Sequence, residues 1–211
     1  MGFTRRDLVK GAVTTIPASM ALQMLGTKFA FAQSGDFADD IEILNYALTL
    51  EHLEAEFYRQ GNAAGLLSGK EATYLGQVQT DEEAHVTAIW TTVEQLGGTP
   101  VSPPGVDFGE AFANRASYLE TAFTFENVGV SAYLGAAGFI QDKMILQAAA
   151  GIFGVEARHA AIIGSLAGKP AEGGVYMGAT ETPRTRDEVL ELVTPFITGP
   201  GSAAAGAAVT R

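Results

Sequence analysis

The chain has 211 residues, of which 24 are acidic and 13 are basic, so its formal net charge is −11. Such a surface repels phosphate backbones and anionic lipid headgroups, which argues against nucleic-acid and membrane partners. The sequence contains no cysteine, and this excludes disulfides, thiolate metal ligands and thiol nucleophiles. Any metal ion bound here must therefore be held by oxygen and nitrogen atoms.

The first 32 residues resemble a twin-arginine export signal. Arg5 and Arg6 precede a moderately apolar stretch at 11–26, and residues 30–32 read Ala-Phe-Ala, a small-x-small cleavage site. The stretch is shorter than the ~20 apolar residues that span a bilayer and is interrupted by a proline. We predict that residues 1–32 are a signal peptide and that the protein is exported to the periplasm or the extracellular space, with no membrane association after cleavage.

Four segments with helical periodicity follow the predicted signal. They run from about residue 36 to 60, 68 to 97, 110 to 138 and 141 to 167, and each has an apolar stripe that includes a glutamate. Ser68 and Glu71 have the spacing of a capping box at the start of the second segment. We assign the bundle to residues 33–170. The extension at 171–211 holds one short helix candidate, from Thr185 to about Ile197, and a Gly/Ala/Ser tail that we expect to be disordered.

The connections predict how the four helices are arranged. Glu51 and Glu82 lie equally far from the loop between them, as do Glu126 and Glu156, so each pair of helices folds back as a hairpin with its glutamates at one height. The linker 97–109 between the hairpins reaches roughly 43 Å at ~3.3 Å per residue, about the length of a 25-residue helix. We therefore predict an all-α four-helix bundle with a long crossover between helices 2 and 3 and a short C-terminal helix.

An internal repeat carries the chemistry of this sequence. Two copies of one pattern lie about 75 residues apart, and each consists of a glutamate after an apolar helical run and a later Glu-x-x-His motif. The candidate metal ligands are Glu51, Glu82, His85, Glu126, Glu156 and His159. A single Glu-x-x-His is a weak signal, because it occurs often on solvated helix faces. Two copies on core-facing stripes, in two related hairpins, form a much stronger one.

Charge explains why these acids point to metal. A buried, unpaired carboxylate costs several kcal/mol, and four facing one another could not all remain ionised. Two divalent cations balance four carboxylates, while neutral imidazoles complete the coordination. Positions i and i+3 share a helix face, so one glutamate of each motif can bridge two ions. The oxygen-rich donor set suits iron, which we prefer, or manganese.

Tyr58 and Tyr133 also follow the repeat, because each comes seven residues after its glutamate on the same stripe. Both fit core aromatics, and both are also candidate catalytic residues that carry protons or radicals. Neither role is decided by the spacing alone.

Two further polar residues lie close to Glu51 in the sequence. Glu54 is one turn away and is an alternative ligand, but its counterpart in the second copy is Gly129, so we prefer Glu51. His52 corresponds to Asn127 and points off the stripe. We expect His52 to be exposed, or to contact the metal ligands without binding metal itself.

The segment from Asn45 to Tyr58, together with the two Glu-x-x-His motifs, resembles the exported ferritin-like domain family that includes desiccation-related proteins. The likeness covers residues 36–200. Bacterioferritin and rubrerythrin, relatives in the wider superfamily, bind two irons with one glutamate from each of two helices and Glu-x-x-His from the other two. The resemblance thus implies a di-iron site built from the six residues named above. The absence of a cysteine-bearing rubredoxin segment and of a strong fifth helix argues against a built-in electron donor and an iron-storage cage.

These observations predict an exported di-iron carboxylate protein that oxidises Fe(II) or reacts with dioxygen or peroxide in stress protection. Manganese-catalase-like dismutation of peroxide is one alternative. A non-catalytic stress module whose core is stapled by metal is another. The oligomeric state stays open, a homo-oligomer included.

Overall fold

The computed structural model describes residues 37–198. The predicted signal peptide and the end of the predicted tail lie outside this range. The helices are α1 Asp40–Ala63, α2 Gly69–Gln95, α3 Arg115–Ala136, α4 Lys143–Leu166 and α5 Arg186–Val193. The predicted all-α class is confirmed. None of the helices in the described range is long and apolar enough to cross a bilayer.

Most helix starts are stabilised by local caps. The Asp39 side chain accepts from the backbone N–H of Glu42 at 2.8 Å, and Asn114 forms a capping box with Ser117 at the start of α3. The capping box predicted for Ser68 is wrong, because its side chain makes no cap hydrogen bond. Its intended partner Glu71 instead accepts from the guanidinium of Arg115, with an Nε–Oε2 distance of 2.9 Å.

Helices α1 and α2 form one hairpin and α3 and α4 form the other, as predicted. Aromatic residues fill the end of the bundle near the first turn: Phe57, Phe125 and Tyr118 are completely or almost completely buried there. Aliphatic and alanine side chains fill the opposite end, around Leu48, Val93 and Ile145. The candidate ligands lie between these two packed regions.

The crossover between α2 and α3 has more structure than an extended linker. It contains the short strand β1, Gly105–Val106, and a 3₁₀ turn at Gly109–Phe112. Gly109 has φ of +50°, a conformation that favours glycine and breaks the helical path. The periodicity had predicted that α3 begins near Glu110, but it begins at Arg115, because Asn114 is extended (φ −163°) and its side chain caps the helix there.

The chain after α4 returns to the bundle and packs on it. Strand β2, Ile197–Thr198, pairs antiparallel with β1, and Val189 and Val193 of α5 are buried in the core. The backbone N–H of Arg184 donates to the carbonyl of Ser131 at 3.1 Å. A Cβ at Gly135 would lie 1.8 Å from the carbonyl oxygen of Arg184, so only glycine permits this approach. The segment 184–198 therefore contacts both the crossover, through β1, and helix α3, through Ser131.

Candidate metal centre

The structure brings all six predicted ligands to the middle of the bundle. Each of the four helices contributes its glutamate at the same height, and α2 and α4 add a histidine one turn further on. The four glutamates are 0 % exposed, and both histidines are buried. The helical period explains the convergence, because each acid occupies a core-facing position of an otherwise apolar stripe.

One group of donors surrounds the ring of His85. Its Nδ1 lies 3.2 Å from Oε2 of Glu51, 3.2 Å from Oε2 of Glu82 and 3.2 Å from Oε1 of Glu156. One N–H cannot donate to three carboxylates with good geometry. The arrangement is that of donor atoms placed around a common point, and one atom from each residue falls within 4.8 Å of the others.

A second group surrounds His159. Its Nδ1 lies 2.9 Å from Oε1 of Glu82 and 3.3 Å from Oε2 of Glu126. Glu156 completes this group, again with all four donor atoms within 4.8 Å of one another. Glu82 and Glu156 belong to both groups, and Glu82 directs a different oxygen to each histidine. A metal ion held by each group would therefore have Glu82 and Glu156 within its reach.

Several donor atoms in the centre are buried and make no hydrogen bond of good geometry among the described residues, although some lie close to a histidine nitrogen. They include Glu82 Oε1, Glu126 Oε2, both carboxylate oxygens of Glu156 and Nδ1 of His159. Unsatisfied buried groups are costly and rare in folded proteins. Divalent cations would satisfy these atoms, so the residues fit bound metal ions. Their oxygen-rich, thiolate-free donor set suits hard or borderline ions such as iron and manganese.

The pKa values of the metal-free centre reflect the same conflict. Burial, and then the charge of Glu51, raises the pKa of Glu82 to about 8. Burial alone would lower the pKa of His85, but contacts with Glu156, Glu51 and Glu82 outweigh it and raise that pKa to about 12. Burial alone would also lower the pKa of His159, but contacts with Glu126 and Glu82 outweigh it and raise that pKa to about 11. Without bound cations, the glutamates and histidines of the centre retain protons that balance the buried negative charge.

The two tyrosines connect the hairpins across the centre. Tyr58 of α1 donates its hydroxyl proton to Oε1 of Glu126 on α3, and Tyr133 of α3 donates to Oε1 of Glu51 on α1. Burial first, and then the neighbouring glutamate, raises the pKa of both phenols. Both hydroxyls therefore stay protonated and orient the carboxylates of Glu126 and Glu51. The spacing had placed the tyrosines correctly on the stripe, but not their crosswise pairing.

The two halves of the centre differ at the outer side of the histidines. Nε2 of His159 lies 3.1 Å from Oδ2 of Asp81, a partly exposed residue of α2. The offset between Glu82 and Glu156 makes Val155 the counterpart of Asp81, and valine offers no acceptor. Sequence reasoning missed Asp81, although its position directly before Glu82 was a usable signal.

The structure also changes the interpretation of Glu54 and His52. Glu54 is 3 % exposed and close to the centre, because a Cβ at Gly129 would lie 3.4 Å from its Oε1 and 2.9 Å from Oε2 of Glu156. Burial, and then Glu156, raises the pKa of Glu54. His52 is not exposed: it lies under the crossover, with Nε2 3.3 Å from the carbonyl oxygen of Val101. Glu54 remains outside both donor groups.

Comparison with known proteins agrees with this architecture. Residues 39–169, more than half of the chain, match the family model of the ferritin-like domain. No curated protein matches the chain significantly. The matched range contains the four bundle helices and all six candidate ligands. On this evidence the chain belongs to the ferritin-like domain family.

Proposed function

We propose that this protein is an exported di-iron carboxylate protein that oxidises Fe(II) with dioxygen as part of stress protection. The observation that carries the proposal is the pair of donor groups that share Glu82 and Glu156 inside the bundle. Two neighbouring iron positions permit both electrons of an oxidation to be delivered together. This avoids the release of one-electron oxygen radicals.

The reaction balances without another reductant. Two Fe(II) ions give up one electron each to dioxygen, which takes up two protons and leaves as hydrogen peroxide. Here iron is the substrate, and its two bound ions supply the electrons.

The chain's own residues prepare the place for this reaction. Glu82 and Glu156 belong to both donor groups and would contact both iron ions. Glu51 and Glu126 belong to one group each and would contact one ion. Tyr133 and Tyr58 keep the latter two carboxylates oriented. Full burial of all four glutamates excludes bulk water and strengthens their interaction with cations. His85 and His159 must release their extra protons when iron binds, so binding is coupled to proton release.

Iron oxidation by the full chain tests the proposal. Fe(II) added under air should be oxidised much faster than in buffer, with a first phase that saturates near two irons per chain. Glu82→Ala should remove that phase, whereas Glu83→Gln should retain it, because Glu83 is exposed and accepts from Gln79. Equal oxidation rates with and without the protein would refute the proposed activity.

The same preparation separates the alternatives. A manganese-catalase-like protein would release dioxygen from hydrogen peroxide when loaded with Mn(II), with no added reductant. A structural module would show a higher melting temperature with metal and no acceleration of either reaction. These outcomes are mutually distinct.

Export is part of the proposal and is tested separately. Replacing Arg5 and Arg6 by lysine should retain the precursor in the cytoplasm, because the twin-arginine route requires the arginine pair. Since this route carries folded proteins, we expect iron to be bound before cleavage after Ala32. Undiminished secretion of the variant would contradict this route.

A further inference from the structure

An apolar cavity lies inside the bundle on one side of the candidate metal centre. Its volume is about 70 Å³, and all four bundle helices contribute to its wall. The wall is almost entirely aliphatic, with residues such as Leu44, Ile89, Ala132 and Ile145. Ala88 of α2 and Ala148 of α4 also belong to the wall and are exposed, which places the opening of the cavity between these two helices.

The polar groups of the wall offer little to a water molecule. The hydroxyl of Thr92 already donates to the carbonyl of Ala88 at 2.7 Å, and that of Tyr133 donates to Glu51. The ring of Tyr46 packs on Phe37 near the start of α1, with ring centroids 5.2 Å apart. A buried water needs two to four polar partners, and apolar cavities without them stay dry. The cavity therefore favours apolar occupants over water.

The wall of the cavity adjoins the candidate ligands. Tyr133 forms part of its wall and hydrogen-bonds Glu51, so one side chain contacts both spaces. Ile89 lies one helical turn beyond His85, and Ile152 lies one turn before Glu156. A molecule in the cavity is thus separated from the donor groups only by this single layer of side chains.

We propose that this cavity is the dioxygen site of the protein: it collects dioxygen between α2 and α4 and delivers it to the metal centre, in preference to hydrogen peroxide. The inference rests on the proposed function and names its oxidant. Dioxygen is apolar and enters such a cavity without losing hydrogen bonds. Hydrogen peroxide must give up its hydrogen bonds to water, and burying a polar group without a new partner is unfavourable.

Size supports the same occupant. An engineered apolar cavity of about 150 Å³ binds benzene and also xenon. The cavity described here is about half that volume, which leaves room for a diatomic gas but not for an aromatic ring or an acyl chain. Xenon is therefore a suitable probe, because it is apolar, small and visible by anomalous scattering.

The test compares two neighbouring alanines of α4. Ala149 forms part of the cavity wall, whereas Ala150 is exposed and does not. Crystals of the full chain as purified, pressurised with xenon, should show xenon in the cavity of the wild type and of Ala150→Leu. Ala149→Leu should remove it. Ala88→Leu, which narrows the opening from α2, is a second variant in case Ala149→Leu folds poorly.

Kinetics connect the site to its role. In Ala149→Leu the KM for dioxygen in Fe(II) oxidation should rise about tenfold, while oxidation driven by added hydrogen peroxide stays within about twofold of the wild type. A wild-type cavity without xenon, or an unchanged KM for dioxygen in a variant that has lost xenon, would overturn the inference even if Fe(II) oxidation is intact. Xenon in the cavity of a protein that does not accelerate Fe(II) oxidation would instead refute the proposed function, and dioxygen delivery with it.

Discussion

Nε2 of His159 lies 3.1 Å from Oδ2 of Asp81, while Nδ1 of the same ring faces the carboxylates of the centre. A carboxylate behind a ligating histidine fixes the ring and its tautomer and increases its basicity. The residue that corresponds to Asp81 in the other half of the repeat is Val155, whose side chain offers no acceptor, so the two halves of the centre are unequal.

The first prediction follows from this inequality. Asp81→Asn should weaken binding of the ion at the His159 position by about 10- to 100-fold, the range found for outer partners of metal ligands, and leave the other position little changed. Two-step isothermal titration with Mn(II) measures both affinities. Glu83→Gln removes a neighbouring exposed charge and should change neither. Equal loss at both positions in Asp81→Asn would show a general charge effect and not an effect on the ring.

The second prediction concerns which acids hold metal. Glu82→Ala should abolish binding of two ions per chain, because Glu82 belongs to both donor groups. Glu54→Ala should retain two ions, because Glu54 is buried beside Glu156 without belonging to either group. Metal analysis after gel filtration gives the stoichiometry. Loss of one ion in Glu54→Ala would contradict this prediction and indicate that Glu54 is a ligand.

The third prediction concerns the tyrosines. Tyr133→Phe and Tyr58→Phe each remove a hydrogen bond to a glutamate of the candidate centre, and we expect Fe(II) oxidation to slow by about 10- to 100-fold with two ions still bound. Tyr118→Phe is the matched control, because its hydroxyl donates to Asn62 at 2.9 Å and not to a candidate ligand.

Stopped-flow absorbance gives the rates for these variants. If both tyrosines act only as core aromatics, the three variants will oxidise iron equally fast. A tyrosyl radical signal in electron paramagnetic resonance, absent from one variant, would assign that tyrosine a redox role in addition.

The fourth prediction is the pH dependence of the metal-free protein. Folded Glu82 has a pKa raised to about 8 by burial and Glu51, compared with an ordinary value of 4.5. The folded state therefore keeps a proton that the unfolded chain releases, and stability falls as pH rises from about 4.5 to 8. The raised pKa values of His85 and His159 act in the same direction above about 6.5.

Metal reverses this trend, because cations replace the retained protons and stabilise only the folded state. The increase in melting temperature on adding Mn(II) should therefore be larger at pH 8 than at pH 5. Glu56 and Glu71, whose pKa values are lowered by arginine partners, affect only the region below about pH 4.5. Calorimetry with and without a chelator measures the effect. A metal-free protein that becomes more stable from pH 5 to 8 would contradict it.

Much of the fold and of the centre follows from the sequence because helical periodicity decides which side chains face one another. Glu51 and Glu126 occupy core positions of apolar stripes, and the equal distances of the paired acids from their turns bring them to one height. The repeat then relates the two hairpins. These are local properties that each segment carries on its own.

The features that could not be predicted depend on contacts between distant segments. Glu71 binds Arg115 of another helix and so leaves Ser68 without its capping partner. The burial of Glu54 needs the gap left by Gly129 on α3. The pairing of β1 with β2 joins residues more than 90 positions apart in the chain. The periodicity of one segment contains no information about such tertiary contacts.

The hydrogen bonds of Tyr58 and Tyr133 between the two hairpins also affect how the bundle unfolds. Tyr58 reaches from the first hairpin to a glutamate of the second, and Tyr133 reaches back in the opposite direction. The two hairpins cannot separate without breaking both hydrogen bonds and exposing the carboxylates of Glu51 and Glu126 to water. The hairpins are therefore not independent folding units, and amide protons near Glu51 and Glu126 should exchange together, in one cooperative opening of the whole bundle.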